Sequence, residues 1–119
     1  MREILFRGKT VCDGDWIYGG ITWNPSKKEV FIHTEWDEGK VIPETVGQYT
    51  GLCDKNGTRI FEGDIVKVEN ALVRGIFAVE YCGLSACFIV SHGERRYFLG
   101  GCNSEVIGNV HDNPERLQN

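Results

Sequence analysis

The chain's densest acid–base grouping is His33 with Glu35 and Asp37 just beyond it. An imidazole beside carboxylates can exchange protons near neutral pH. The same trio at the exposed end of a strand also reads as ordinary solvated polar groups. Cys82, Cys87, His92 and Cys102 supply thiol and imidazole groups within a short stretch, and such groups ligate zinc when they converge. Cys82 and Cys87 stand equally well as the end of one strand and the start of the next. Ser85 lacks the Gly-x-Ser-x-Gly elbow of a nucleophilic serine, and His111-Asp112 reads as a local cap at a strand end. The 17 acidic residues make chance carboxylate pairs unavoidable, so no glycosidase-type pair is assigned. No Gly-x-x-x-x-Gly-Lys-Ser/Thr or Gly-x-Gly-x-x-Gly phosphate loop occurs. The expectation is a protein with no catalytic residues, no metal and no cofactor.

Surface recognition is the stronger candidate. Trp16, Tyr18, Trp23 and Trp36 crowd the first third of the chain, and strand alternation cannot bury all four on one face. Aromatic residues dominate protein–protein hot spots, so an exposed aromatic strip would suit a protein interface. The competing reading places two tryptophans in the core and the others over its edge. Tyr49, Asp54 and Lys55 form a further candidate surface on a glycine-bounded loop; the alternative there is a structural loop in which Asp54 bonds its own backbone. Lys67, Arg74, Arg95 and Arg96, with Tyr97 as a stacking group, would be the nucleic-acid surface of a small barrel that binds single strands. The net charge of −4 weighs against that role. A solvated strand edge accounts for the arginines as well.

The elements that must carry these residues are short strands. The chain has 119 residues, 41% hydrophobic and 11% aromatic, with 15 glycines against 3 prolines. That length fits about one domain able to bury around two-thirds of its unfolded surface, and so much glycine belongs in turns rather than helices. Asp15–Trp23 reads as a strand bent or bulged at Gly19-Gly20. Glu29–His33 is its hairpin partner after the turn at Asn24-Pro25, with Val30 and Ile32 on one face and Phe31 and His33 on the other. Asn56-Gly57 is a hairpin signal, since both residues tolerate positive φ. Val73–Tyr81 alternates clearly, and Ala86–Ser91 and Arg95–Leu99 form a hairpin around Gly93. Helix is suggested only at Asp112–Glu115, where proline falls in a capped first turn.

Two segments resemble a known family. Gly47-Gln48-Tyr49-Thr50-Gly51-Leu52-Cys53-Asp54-Lys55-Asn56-Gly57 runs into Thr58-Arg59-Ile60-Phe61-Glu62-Gly63-Asp64-Ile65-Val66, and together they look like the central signature of the YopX family. Val106-Ile107-Gly108-Asn109-Val110-His111-Asp112-Asn113-Pro114-Glu115 resembles its C-terminal signature, and Arg2–Arg7 its usual start. Cys53 departs from the pattern, where a polar or charged residue is expected. The resemblance implies a small protein of bacteriophages or other mobile elements. It supplies no catalytic residues and raises the expectation of self-association.

The fold expected is mainly β, or α+β with one or two short helical turns. It has an N-terminal β region over 1–45 and a small SH3-like barrel over 46–119. The SH3-like reading is an analogy from strand order. The function expected is a non-enzymatic protein-binding or self-assembling module in the host cytoplasm. Its partner is a second copy or a phage or host protein. Single-stranded nucleic-acid binding, and a metal-binding or catalytic role, are the alternatives. Five cysteines without a CxxC pair suit reduced thiols, and neither a signal peptide nor a membrane span is expected.

Overall fold

Alternating β-branched and aromatic residues separated by glycine turns fold, among the described residues, into eleven strands and two 3-10 turns. The computed structural model describes residues 3–100 and 103–117. Cys102, one of the metal-ligand candidates, lies outside the described residues. The chain divides into two units, Met1–Tyr49 and Thr50–Asn119, against the expected boundary at 45/46.

The first unit holds β1 (Phe6–Lys9), β2 (Trp16–Asn24), β3 (Glu29–His33), β4 (Glu38–Val41) and the start of β5 (Gly47–Cys53). Its strands lie in the order β4-β3-β2-β1-β5, and the pairs between them are antiparallel. A bridge from Thr10 to Val41, with the Ile42 N–H donating to the Lys9 carbonyl at 2.8 Å, brings the chain after β1 back beside β4. Val30, Ile32 and Val41 are buried, and Phe6, Ile17 and Val46 pack on them. The alternation expected for β3 holds.

At Gly19-Gly20 the bulge that the sequence offered as one alternative is absent. No register shift falls there. Instead β2 changes partner, with Trp16–Gly19 paired to β1 and Gly20–Asn24 paired to β3. Gly19 is required by close approach: a Cβ there would sit 1.9 Å from the His33 carbonyl oxygen, whereas one at Gly20 meets nothing within 4 Å. The break in register lies elsewhere, between Val106 and Gly108. The turn-rich link expected around Trp36–Lys40 contains β4, and a short 3-10 turn at Pro43–Thr45 follows it. The Thr45 hydroxyl ties that turn to β1, accepting from the Lys9 N–H at 2.9 Å.

The second unit continues β5 beside β6 (Arg59–Phe61). It adds an antiparallel sheet of β7 (Asp64–Glu69), β8 (Arg74–Cys82), β9 (Cys87–His92), β10 (Arg95–Phe98) and β11 (Ser104–Asn109), in the order β10-β9-β8-β7-β11. The order leaves β10 and β11 as opposite edges, so the SH3-like closure expected here is not part of this pairing. Ile60, Val66, Val68, Phe77, Val79 and Val90 form the core, with Val73, Leu99 and Val106 against it. Each such side chain contributes about 1.5–3 kcal/mol on burial. The helical turn foreseen near Pro114 is a 3-10 turn at Pro114–Leu117. The preceding turn is held by Asn109, whose Oδ1 accepts from the N–H groups of His111 and Asp112 at 3.0 and 2.9 Å.

Candidate functional site

The first unit leaves its tryptophans outside its buried core. Trp36, in the turn between β3 and β4, is 88% exposed; Trp23 is 53% exposed and Tyr18 46%. Trp16 is half-buried, with the Arg7 guanidinium 4.6 Å and the Lys9 ammonium 5.6 Å from its ring. The reading that two tryptophans fill the core is therefore overturned: Val30, Ile32 and Val41 fill it. Gly8, Gly19 and Gly39, set among these strands, leave no room for larger side chains. Nor do the aromatics form one strip. Strand alternation puts Trp16 and Tyr18 on one face of β2 and Trp23, with Ile21, on the other.

His33 meets different neighbours from those its sequence context suggests. Its Nε2 bonds the Thr22 hydroxyl and its Nδ1 lies 2.9 Å from Glu38 Oε2, so β2, β3 and β4 carry a hydroxyl–imidazole–carboxylate ladder. Glu38 is the register partner of His33, whereas Asp37 caps the turn through Thr34. The order of groups is that of an acyl-transfer triad. Both side chains are about half exposed, so water screens them and the low-dielectric stabilisation such chemistry relies on is lacking.

The loop after β5 is built around Asp54, which is 7% exposed. Asp54 Oδ1 accepts from the N–H groups of Asn56 and Thr58 and Oδ2 from that of Val106, each at 2.9 Å. Burial alone pushes this carboxyl up. The three N–H groups and nearby Lys55 outweigh it and hold the carboxyl below its usual range. The surface expected of Tyr49, Asp54 and Lys55 is corrected accordingly. Asp54 faces inward, Tyr49 is half-buried, and Lys55 is exposed with Glu105 3.9 Å away. The turn also differs in type from the one expected. The Asp54 N–H donates to the Thr58 carbonyl and the Gly57 N–H to the Asp54 carbonyl, so three residues form the loop. Only Gly57 takes a positive φ, +85°, while Asn56 does not.

The basic set is dispersed. Arg95 lies 4.8 Å over the Phe77 ring and Tyr97 meets that ring edge-on at 5.7 Å, placing both on the core face of the sheet. Arg95 also donates to the Arg74 carbonyl at 2.9 Å. Arg96 pairs with Ser91 and Lys67 with Ile76, positions that alternate onto the opposite face. These groups lie on two sides of a sheet, not along one groove that a single strand could follow.

Cys82 and Cys87 are register partners at the end of the β8–β9 hairpin. His92 is an odd number of residues from Cys87 and so points to the other face, its Nδ1 donating to the Ile76 carbonyl at 2.9 Å. The three therefore do not converge, and the described residues contain no group of three or more His, Cys, Asp or Glu able to hold a metal. Beside Cys82 lies a cleft of about 400 Å³, lined by Cys82, Ser85, Ile89, Arg96, Tyr97 and Phe98. No imidazole lines the cleft to activate Ser85, and the Cys82 thiol lies beside it. Among the described residues no helix is long and apolar enough to cross a membrane.

Comparison with known proteins agrees with this architecture. A crystal structure of protein EF1440 from Enterococcus faecalis superposes with a TM-score of 0.63 at 22% identity, over 99% of this chain and 100% of that one. At that identity the likeness speaks for the fold. No curated protein matches. The model of the YopX family, described as YopX protein, matches residues 7–118. That span takes in both signature segments and nearly the whole chain, which belongs to the YopX family.

Proposed function

We propose that this protein is a phage- or prophage-encoded, non-enzymatic binding module. It acts in the host cytoplasm and self-associates through the exposed aromatics of its first unit. The observation that carries this reading is the exposure of Trp23 and Trp36, two of only three tryptophans in the chain. Neither ring is among the buried core residues of the first unit, and each keeps a large apolar area in water. Covering such a surface is what a protein contact does, and tryptophan is enriched among the residues that dominate contact energies. Ile21 extends the apolar surface beside Trp23 on the same face of β2.

Light scattering over a range of concentrations tests the reading, with Trp23→Ala and Trp36→Ala variants alongside. The wild type is expected above the 13.4 kDa of one chain. Each variant loses about 2 kcal/mol of association, roughly thirtyfold in affinity, with its circular dichroism unchanged. A wild type that stays monomeric throughout defeats self-association. Capture of a phage or host protein that both substitutions abolish would move the same surface to a heterologous partner.

A further inference from the structure

We propose that Cys82 and Cys87 are a redox-active dithiol, Cys82 attacking and Cys87 resolving, which a hydroperoxide closes to a disulfide across the β8–β9 hairpin. Cys82 and Cys87 lie in the second unit, away from the tryptophans in sequence, and are direct cross-strand partners closing the turn Gly83–Ala86. Directly opposed residues of antiparallel strands share a face and have Cα atoms about 4.5–5.5 Å apart. That interval falls within the roughly 4.4–6.8 Å a disulfide spans. Both thiols are free and half-buried, so the hairpin already holds the two sulfurs where bond formation needs little backbone movement.

The surroundings distinguish the two. Cys82 lines the cleft with the polar Ser85 and Arg96 and the apolar Ile89 and Phe98. Hydrogen bonds from the Ser85 backbone and hydroxyl and from the Leu84 N–H, with the positive charge of Arg96, hold the Cys82 thiol below its ordinary value against the cost of desolvation. A small peroxide fits the cleft, and Arg96 is placed to favour both the thiolate and the oxyanion that leaves.

The chemistry balances with peroxide as the oxidant. The Cys82 thiolate attacks one peroxide oxygen. The O–O bond breaks, an S–O bond forms, and hydroxide or alkoxide departs and takes up a proton. The Cys87 sulfur then attacks the Cys82 sulfenic sulfur. An S–S bond forms, the S–O bond breaks, and water leaves with the Cys87 proton. Two thiols are oxidised by two electrons in all, and one peroxide is reduced. Oxidation removes the thiolate from beside Arg96 and ties the hairpin end, so the cleft has two chemically distinct states.

Exposed Cys12 and Cys53 serve as internal references. The folded protein is treated with limiting hydrogen peroxide, alkylated, digested without reductant and examined by mass spectrometry. The peptide spanning residues 82–87 is expected to lose two hydrogens and resist alkylation, several-fold faster than Cys12 or Cys53 is oxidised. In Cys87→Ser the reaction stops at a Cys82 sulfenic acid that dimedone traps. In Cys82→Ser, Cys87 gains no advantage over the reference thiols. Arg96→Ala slows Cys82 several-fold and leaves Cys12 unchanged. Preferential oxidation of Cys12 or Cys53, dimedone capture on Cys87 of the wild type, or a cross-link from Cys82 to Cys102 or to a second chain overturns the proposal.

Discussion

Replacing Asp54 probes the joint that fastens the loop after β5 to β11. Its carboxylate accepts three backbone N–H groups at 2.9 Å while 7% exposed. In Asp54→Ala all three donors lose their acceptor. Those of Asn56 and Thr58 lie in an exposed loop where water can replace the carboxylate, whereas that of Val106 lies in a half-buried strand. With about 1 kcal/mol for each hydrated donor and about 2 for the third, the loss comes to about 3–5 kcal/mol. That is a large share of the 5–15 kcal/mol typical of a domain. Asp54→Asn keeps one oxygen, but its amide meets the N–H it cannot accept from, and the loss is about 2 kcal/mol. The carboxyl is held low in the folded state, so its contribution is full above the unfolded value of about 3.9 and fades as pH falls through the folded value. The gap between wild type and Asp54→Asn should therefore be constant near neutrality and close in acid. Urea unfolding followed by far-ultraviolet circular dichroism measures it. All three tryptophans lie before Tyr49 and report the first unit alone. A loss below about 1 kcal/mol for Asp54→Ala, or a gap that widens in acid, refutes the reasoning.

Adjacent glycines should respond oppositely. Gly19→Ala drives a methyl into the His33 carbonyl, a backbone atom that cannot step aside, and should cost 3 kcal/mol or more, roughly the upper end for overpacking. Gly20→Ala meets nothing within 4 Å and should stabilise by up to about 1 kcal/mol by restricting the unfolded chain; thermal melts of the pair decide. At Gly57, φ is +85° with open space around the Cβ position. Alanine there should cost about 1–2 kcal/mol and asparagine less, because asparagine enters the left-handed region more readily.

Strand identity was legible wherever burial alternates with period two. Val30 and Ile32 are buried against half-buried Phe31 and His33, and Phe77 and Val79 point into the core. Both read directly because a strand face is a local property of the chain. β4 was not, since Glu38-Gly39-Lys40-Val41 carries one apolar side chain and owes its place to pairing with β3 and the bridge to Thr10. The Asn56-Gly57 hairpin was visible, but its three-residue form depends on Asp54 accepting bonds within the loop and from residue 106, a contact 52 residues away that no local pattern encodes. Trp23 follows the core-facing parity of β2, opposite buried Val30, yet is 53% exposed. Parity gives direction, while exposure depends on what lies opposite. The cleft at Cys82 is not legible in the sequence for the same reason. Cys82 and Arg96 are brought together through β9, and the only signal was that two cysteines flank one short turn.

The central claim, that Trp23 and Trp36 form a contact surface, is tested most directly by acrylamide quenching of tryptophan fluorescence as the protein is concentrated, with Trp16→Phe removing the half-buried ring's signal. The account predicts strong quenching in dilute solution that falls, with a blue shift, as chains associate. Emission and quenching that stay constant and strong over the whole concentration range would contradict it.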